Sequence, residues 1–110
     1  MAKKEIVKIS KILRELLKQR GIDIYKIVIF GSYAKKRVSR DSDIDMMIIS
    51  KDFRNKDIFE RVELAGGVHR ELVKRFKKPF DIMYYSDKEW NRGFSLIMNT
   101  AKREGNIIYG

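Results

Sequence analysis

A chain of 110 residues has room for a single domain spanning 1–110 and none for a separate substrate-gripping domain, while the absence of cysteine excludes disulfides and thiolate zinc sites and the single histidine argues against a His-based metal centre. No apolar run approaches the ~20 residues of a membrane span, and the start Met1-Ala2-Lys3-Lys4-Glu5 leads into an amphipathic segment rather than a signal peptide, so a globular cytoplasmic protein without membrane contact is expected. The net charge of +10 fits a solvated, lysine-rich surface; no motif with interleaved aromatics argues for direct nucleic-acid binding, although a basic field would guide an anionic ligand to an acidic site.

Ile6, Ile9, Leu13, Leu16 and Leu17 recur at helical spacing over Met1 to Arg20, with Lys8, Lys11, Arg14 and Lys18 between them and Gly21 as a C-cap, which predicts an amphipathic helix packed on a sheet. Two apolar runs follow, Ile24 to Phe30 and Ile44 to Ile49, with the length and β-branched content of buried strands. Between them lies the stretch Gly31 to Asp45. Gly31 lets the chain turn at a strand end and lets a ligand approach the backbone, and Ser32 offers a hydroxyl and the start of a short helix whose free N–H groups favour anions. An ordinary turn with an N-cap would use the same two residues. Asp43 and Asp45 are two apart, so on a strand both carboxylates project from one face, and a hard divalent cation such as Mg²⁺ is the usual relief of their repulsion. A phosphate cradle followed by a carboxylate pair, in this order between two apolar strands, is more specific than either part alone.

Gly31-Ser32-Tyr33-Ala34 followed by Asp41-Ser42-Asp43-Ile44-Asp45 resembles the signature of the nucleotidyltransferase superfamily that includes DNA polymerase beta. More closely, it is similar to the minimal nucleotidyltransferases of archaea and bacteria, often the MntA-type antitoxin partners of HEPN-domain toxins. Lys35-Lys36 stand where those proteins usually have Arg-Gly, which keeps a positive charge and replaces a glycine.

Beyond the motif, Lys51 to Lys56 reads as a polar connection, and Asp57 as the N-cap of a second helix reaching about Phe76, with Ile58, Val62, Ala65, Leu72, Val73 and Phe76 as its apolar face. Gly66-Gly67 interrupts that helix, through a bend or a close backbone approach. His69 falls on the buried side of the stripe, as a core-boundary histidine rather than a catalytic base. Lys77-Lys78-Pro79 ends the helix, and Phe80 to Tyr85 reads as a third strand in which Asp81 stands among apolar neighbours and needs a partner, a metal or an exposed strand end. Ser86-Asp87-Lys88-Glu89 is a capping box that starts a third helix at Asp87, striped by Trp90, Phe94, Ile97, Met98 and Ala101 and ended by Gly105; Ile107 to Tyr109 forms a last short strand.

The resemblance implies an α+β domain of polymerase beta palm-like fold, with a small mixed β-sheet and helices packed mainly on one face. It implies that Asp81 joins Asp43 and Asp45 as catalytic residues and ligands of two Mg²⁺ ions, and that Gly31 and Ser32 bind the β- and γ-phosphates of ATP, with Lys35, Lys36, Arg37 or Arg40 adding charge. The activity implied is transfer of AMP from ATP to a hydroxyl, a tyrosine of a HEPN-domain toxin. The alternatives are a nucleotide-binding antitoxin that occludes its partner without catalysis, and nucleotidyl transfer to a small molecule.

Overall fold

The computed structural model describes residues 3–31, 43–93 and 95–110. Its first helix, α1 (Lys3–Gln19), forms where the apolar stripe predicts it: Ile9, Leu13 and Leu17 are fully buried, and Lys8, Lys11, Arg14 and Lys18 are exposed. The helix stops at Gly21, where the Ile22 N–H donates to Leu17 O (3.0 Å) and the Gly21 N–H to Lys18 O (3.0 Å). This pair of bonds satisfies carbonyls that a helix C-terminus otherwise leaves open.

Strands β1 (Ile24–Phe30) and β2 (Ile44–Ser50) pair antiparallel, β3 (Phe80–Tyr85) joins β2 in parallel, and β4 (Asn106–Tyr109) joins β1 antiparallel, giving a mixed sheet of order β3-β2-β1-β4. A parallel neighbour requires a crossover. Here it is a 3₁₀ turn, Lys51–Phe53, followed by α2 (Ile58–Leu64) and α3 (Val68–Phe76).

Side-chain alternation along the central strands divides the core in two. Ile27, Ile29, Ile44, Met46 and Ile48 pack with Ile9, Leu13, Leu17, Phe53 and Leu72 on one face. Val28, Phe30, Met47 and Ile49 meet Trp90, Met98 and Ala101 on the other, where α4 (Asp87–Arg92) and α5 (Leu96–Glu104) lie. The fold is thus a mixed α+β domain. Its larger helical layer covers one face, and α4 and α5 add a smaller cluster on the second, the face that carries Asp45 and Asp81.

Several elements depart from the sequence reading. The span from Asp57 to Phe76 is two helices, broken at Gly66-Gly67 with Gly67 at φ +83°. Ala65, Val68 and Leu72 are buried, while Ile58 and Val62, expected on the apolar face and in helical phase with Ala65, are exposed in the earlier turns of α2. The last helix is likewise broken, at Gly93, and Ser95 caps the new start by accepting from the Met98 N–H (3.2 Å); Phe94 lies outside the described residues. The connection Lys51 to Lys56 hides one core residue, Phe53, fully buried and edge-on to the Tyr84 ring at 5.3 Å. Both expected caps form: Asp57 with Glu60, and Ser86 with Glu89.

Candidate active site

The register of the parallel pair sets Asp45 of β2 opposite Asp81 of β3, so both carboxylates project from one face of neighbouring strands, which in any sheet lie about 4.8 Å apart. Asp43 directly precedes β2, two residues before Asp45, and is exposed. Asp81 is exposed on the outermost strand, so its charge is tolerated there even without a partner. Asp45 is the most enclosed of the three, half-buried between Phe30 on one side and Asp81 on the other.

Gly31 follows β1 beside this cluster with φ +70°, and a Cβ built on it would lie 2.2 Å from Asp45 Oδ2. The space a side chain would occupy is therefore filled by the Asp45 carboxylate. Only glycine satisfies both the left-handed backbone and the contact.

The electrostatics follow from this crowding. Burial, then the negative charges of Asp81 and Asp43, raise the Asp45 carboxyl above its ordinary value. Among the described residues none of the three carboxylates meets a basic side chain, and no group of three His, Cys, Asp or Glu side chains is drawn together into a ready-made metal cage. Among the described residues the arrangement is an acidic face without a basic partner, beside a bare-backbone turn, built from hard oxygen donors of the kind that Mg²⁺ takes. Ser32, Lys35, Lys36, Arg37 and Arg40 lie outside the described residues.

His69 is corrected from the buried side of a helix to an exposed position. Its Nε2 lies 2.8 Å from the carbonyl of Phe80, which can only accept, so this nitrogen carries the proton and ties α3 to β3 one residue before Asp81. It is a positioning contact for the strand.

A cavity of about 550 Å³ runs along β3 from Asp81 to Tyr85 and is walled on its far side by α2. Arg61 crosses it, donating from Nη1 to Tyr84 O (2.8 Å) and from Nε to Lys56 O (2.9 Å) and pairing with Glu89 at 2.8 Å. The sequence reading assigned Glu89 only its cap and Arg61 nothing, because a cation on a helix does not reveal which distant carbonyl it will reach.

The nucleotidyltransferase domain model matches residues 6–105 of the chain. A candidate nucleotidyltransferase from Sulfolobus solfataricus superposes with a TM-score of 0.61 at 21% identity, over 94% of this chain and 78% of that one. A toxin–antitoxin complex with AMP-PNP gives 0.62 at 23% identity over 89% and 70% of the two chains. A tri-AMPylated Shewanella oneidensis HEPN toxin in complex with its MNT antitoxin gives 0.57 at 22% identity over 94% and 71%. No curated protein matches the sequence. With the fold shared and 100 consecutive residues matched, this chain belongs to the nucleotidyltransferase domain family.

Proposed function

We propose that this chain is a Mg²⁺-dependent nucleotidyltransferase that moves AMP from ATP to a hydroxyl of a protein partner, a tyrosine of a HEPN-domain toxin, and so serves as the antitoxin of a toxin–antitoxin pair. The observation that carries this reading is the register of Asp45 with Asp81 beside the Gly31 turn. The partner and the nucleotide are supported by the likeness to the complex with AMP-PNP and to the MNT antitoxin bound to a tri-AMPylated HEPN toxin.

In this reading Asp43, Asp45 and Asp81 hold two Mg²⁺ ions, for which their charge and oxygen donors are suited. Bound there, Mg²⁺ would neutralise charge on the triphosphate and lower the pKa of the attacking hydroxyl. The turn from Gly31 to Ser32 takes the β- and γ-phosphates on backbone N–H groups and the serine hydroxyl, and Lys35 and Arg40 add positive charge. As the acceptor oxygen bonds to the α-phosphorus and the bond to pyrophosphate breaks, Asp81 accepts the hydroxyl proton.

The test uses HEPN-domain proteins of the same genome, purified singly and incubated with this chain, ATP and Mg²⁺. Intact mass spectrometry is expected to record added AMP on one of them, and Asp43→Ala to abolish it. Unmodified partners with a metal-loaded, folded enzyme would overturn the proposal. The alternative, neutralisation by occlusion alone, wins if the Asp43→Ala protein silences the toxin as well as the wild type does.

A further inference from the structure

Helix α2 buries none of its residues, and three of them, Ile58, Phe59 and Val62, are large, apolar and 69%, 80% and 53% exposed. Single exposed apolar residues are common on soluble proteins, but a cluster on one short helix marks a contact surface. Ile58 and Val62 form one wall of the cavity along β3, and Asp81 and Met83 stand in the other. The apolar patch and the proposed proton acceptor therefore share one groove.

The groove does not invite an added strand, although β3 is at the edge of the sheet. The carbonyls of Phe80 and Tyr84 are already taken, by His69 at one end and Arg61 at the other, so an added strand would have to displace both side chains, and packing against the exposed apolar side chains is the less costly mode of recognition. Nor is it shaped chiefly for a small molecule. Small ligands are enclosed by concave walls, whereas Phe59 stands outside the cavity on the solvent side of α2 and offers a protruding anchor of the sort found in macromolecular contacts. A second copy of this chain seated there would close the approach to Asp81.

We infer that the α2–β3 groove docks the acceptor protein, which packs apolar side chains on Ile58, Phe59 and Val62 and thereby delivers its hydroxyl to Asp81. The inference rests on the transfer reading for the hydroxyl but not for the contact itself. The lining carboxylates Asp57, Asp81 and Glu89 stand against the two cations Lys56 and Arg61, so charge complementarity at the groove favours a partner face that surrounds its apolar anchors with basic rather than acidic side chains.

Phe59→Glu tests the contact, with Lys18→Gln on the exposed face of α1 as a control carrying the same change in net charge. The HEPN-domain partner is titrated into each by calorimetry, AMP incorporation is read by intact mass, and MgATP affinity is measured separately. The expected result is partner binding weakened at least tenfold and AMP incorporation reduced in step for Phe59→Glu, MgATP affinity unchanged, and the control like wild type. Wild-type partner binding by Phe59→Glu overturns the inference, as does loss of a wild-type homodimer in its place or modification of a small acceptor alone. If the wild type binds the partner without modifying it, the transfer reading fails, and weakened binding by Phe59→Glu still supports the docking surface.

Discussion

The carboxylate of Asp45 sits where a side chain on Gly31 would have to be: a Cβ at that glycine would fall 2.2 Å from Oδ2. Gly31 directly follows β1, Asp45 is the second residue of β2, and the two strands are antiparallel neighbours, so the turn and the acidic cluster are parts of one structure. Changing either disturbs both.

Gly31→Ala is the direct test of this coupling. The left-handed backbone at φ +70° costs a non-glycine residue about 1–2 kcal/mol, and the new methyl group must push the Asp45 carboxylate aside. For a domain of this size the strain corresponds to a fall in Tm of roughly 4–16 °C, taking about 4–8 °C per kcal/mol. Nucleotidyl transfer should fall by far more than the stability loss explains, because the displaced carboxylate is one of the proposed metal ligands. Calorimetry and a single-turnover assay at a temperature where the variant is fully folded separate the two effects; wild-type transfer by folded Gly31→Ala would refute the coupling.

The acidic face also predicts an inverse relation between stability and metal. Asp45 is half-buried, directly opposite Asp81 and two residues from Asp43, with no basic neighbour among the described residues. Like charges at this spacing oppose folding. Asp45→Asn should therefore raise Tm in the presence of a chelator, whereas Mg²⁺ should raise the Tm of the wild type and leave the variant nearly unmoved. Thermal melts with and without Mg²⁺ check both halves; a variant less stable than wild type in chelator would show that Asp45 has a structural partner instead.

What the sequence made legible follows from how local each signal is. Strand parity places Asp43 and Asp45 on one face from their spacing alone, and the caps at Asp57 and Ser86 are contained within four residues each. The alignment of Asp45 with Asp81 depends on a crossover from 51 to 79, which no local pattern specifies, and it was reached only through the resemblance. Gly66-Gly67 is legible as a weak point, whereas Gly93 lies inside a stripe that reads as one helix from Asp87 to Gly105. Whether such a glycine bends a helix or ends it is decided by tertiary packing, and in both places it ends it. Phe53 gave no signal because a lone aromatic in a polar connection has no periodicity, yet its ring fills the space beneath Tyr84. The exposed apolar face of α2 reads as core for the opposite reason: its spacing is correct for a buried stripe, and Ala65 is indeed buried, but Ile58 and Val62 in the turns before it face solvent, which spacing alone does not reveal.

A last prediction concerns acid. Burial pushes the Glu89 carboxyl up, but hydrogen bonds from the Ser86 N–H and from Arg61 outweigh it, and the net result lies below the ordinary value of 4.5. Asp87 is held below 3.8, chiefly by its two-pronged hydrogen bond from Arg54. A carboxylate whose pKa is depressed in the folded state stabilises the fold above its unfolded pKa, and this contribution disappears as the pH falls through the folded value. The contribution of these two groups should thus be level from neutral pH down to about 5, a little above those unfolded values, then decline as both protonate below it, whereas Asp45, whose carboxyl is raised, contributes with the opposite sign. Both residues begin α4, and Arg61 and Arg54 tether that helix to the crossover, so the decline should appear first as loosening of α4 and exposure of Trp90. Glu89→Gln keeps a cap-compatible side chain while removing the charge. It should lower stability at pH 7 and flatten the acid limb, as read from urea melts followed by Trp90 fluorescence between pH 3 and pH 7; an acid limb as steep as that of the wild type would show that protonation elsewhere governs acid unfolding.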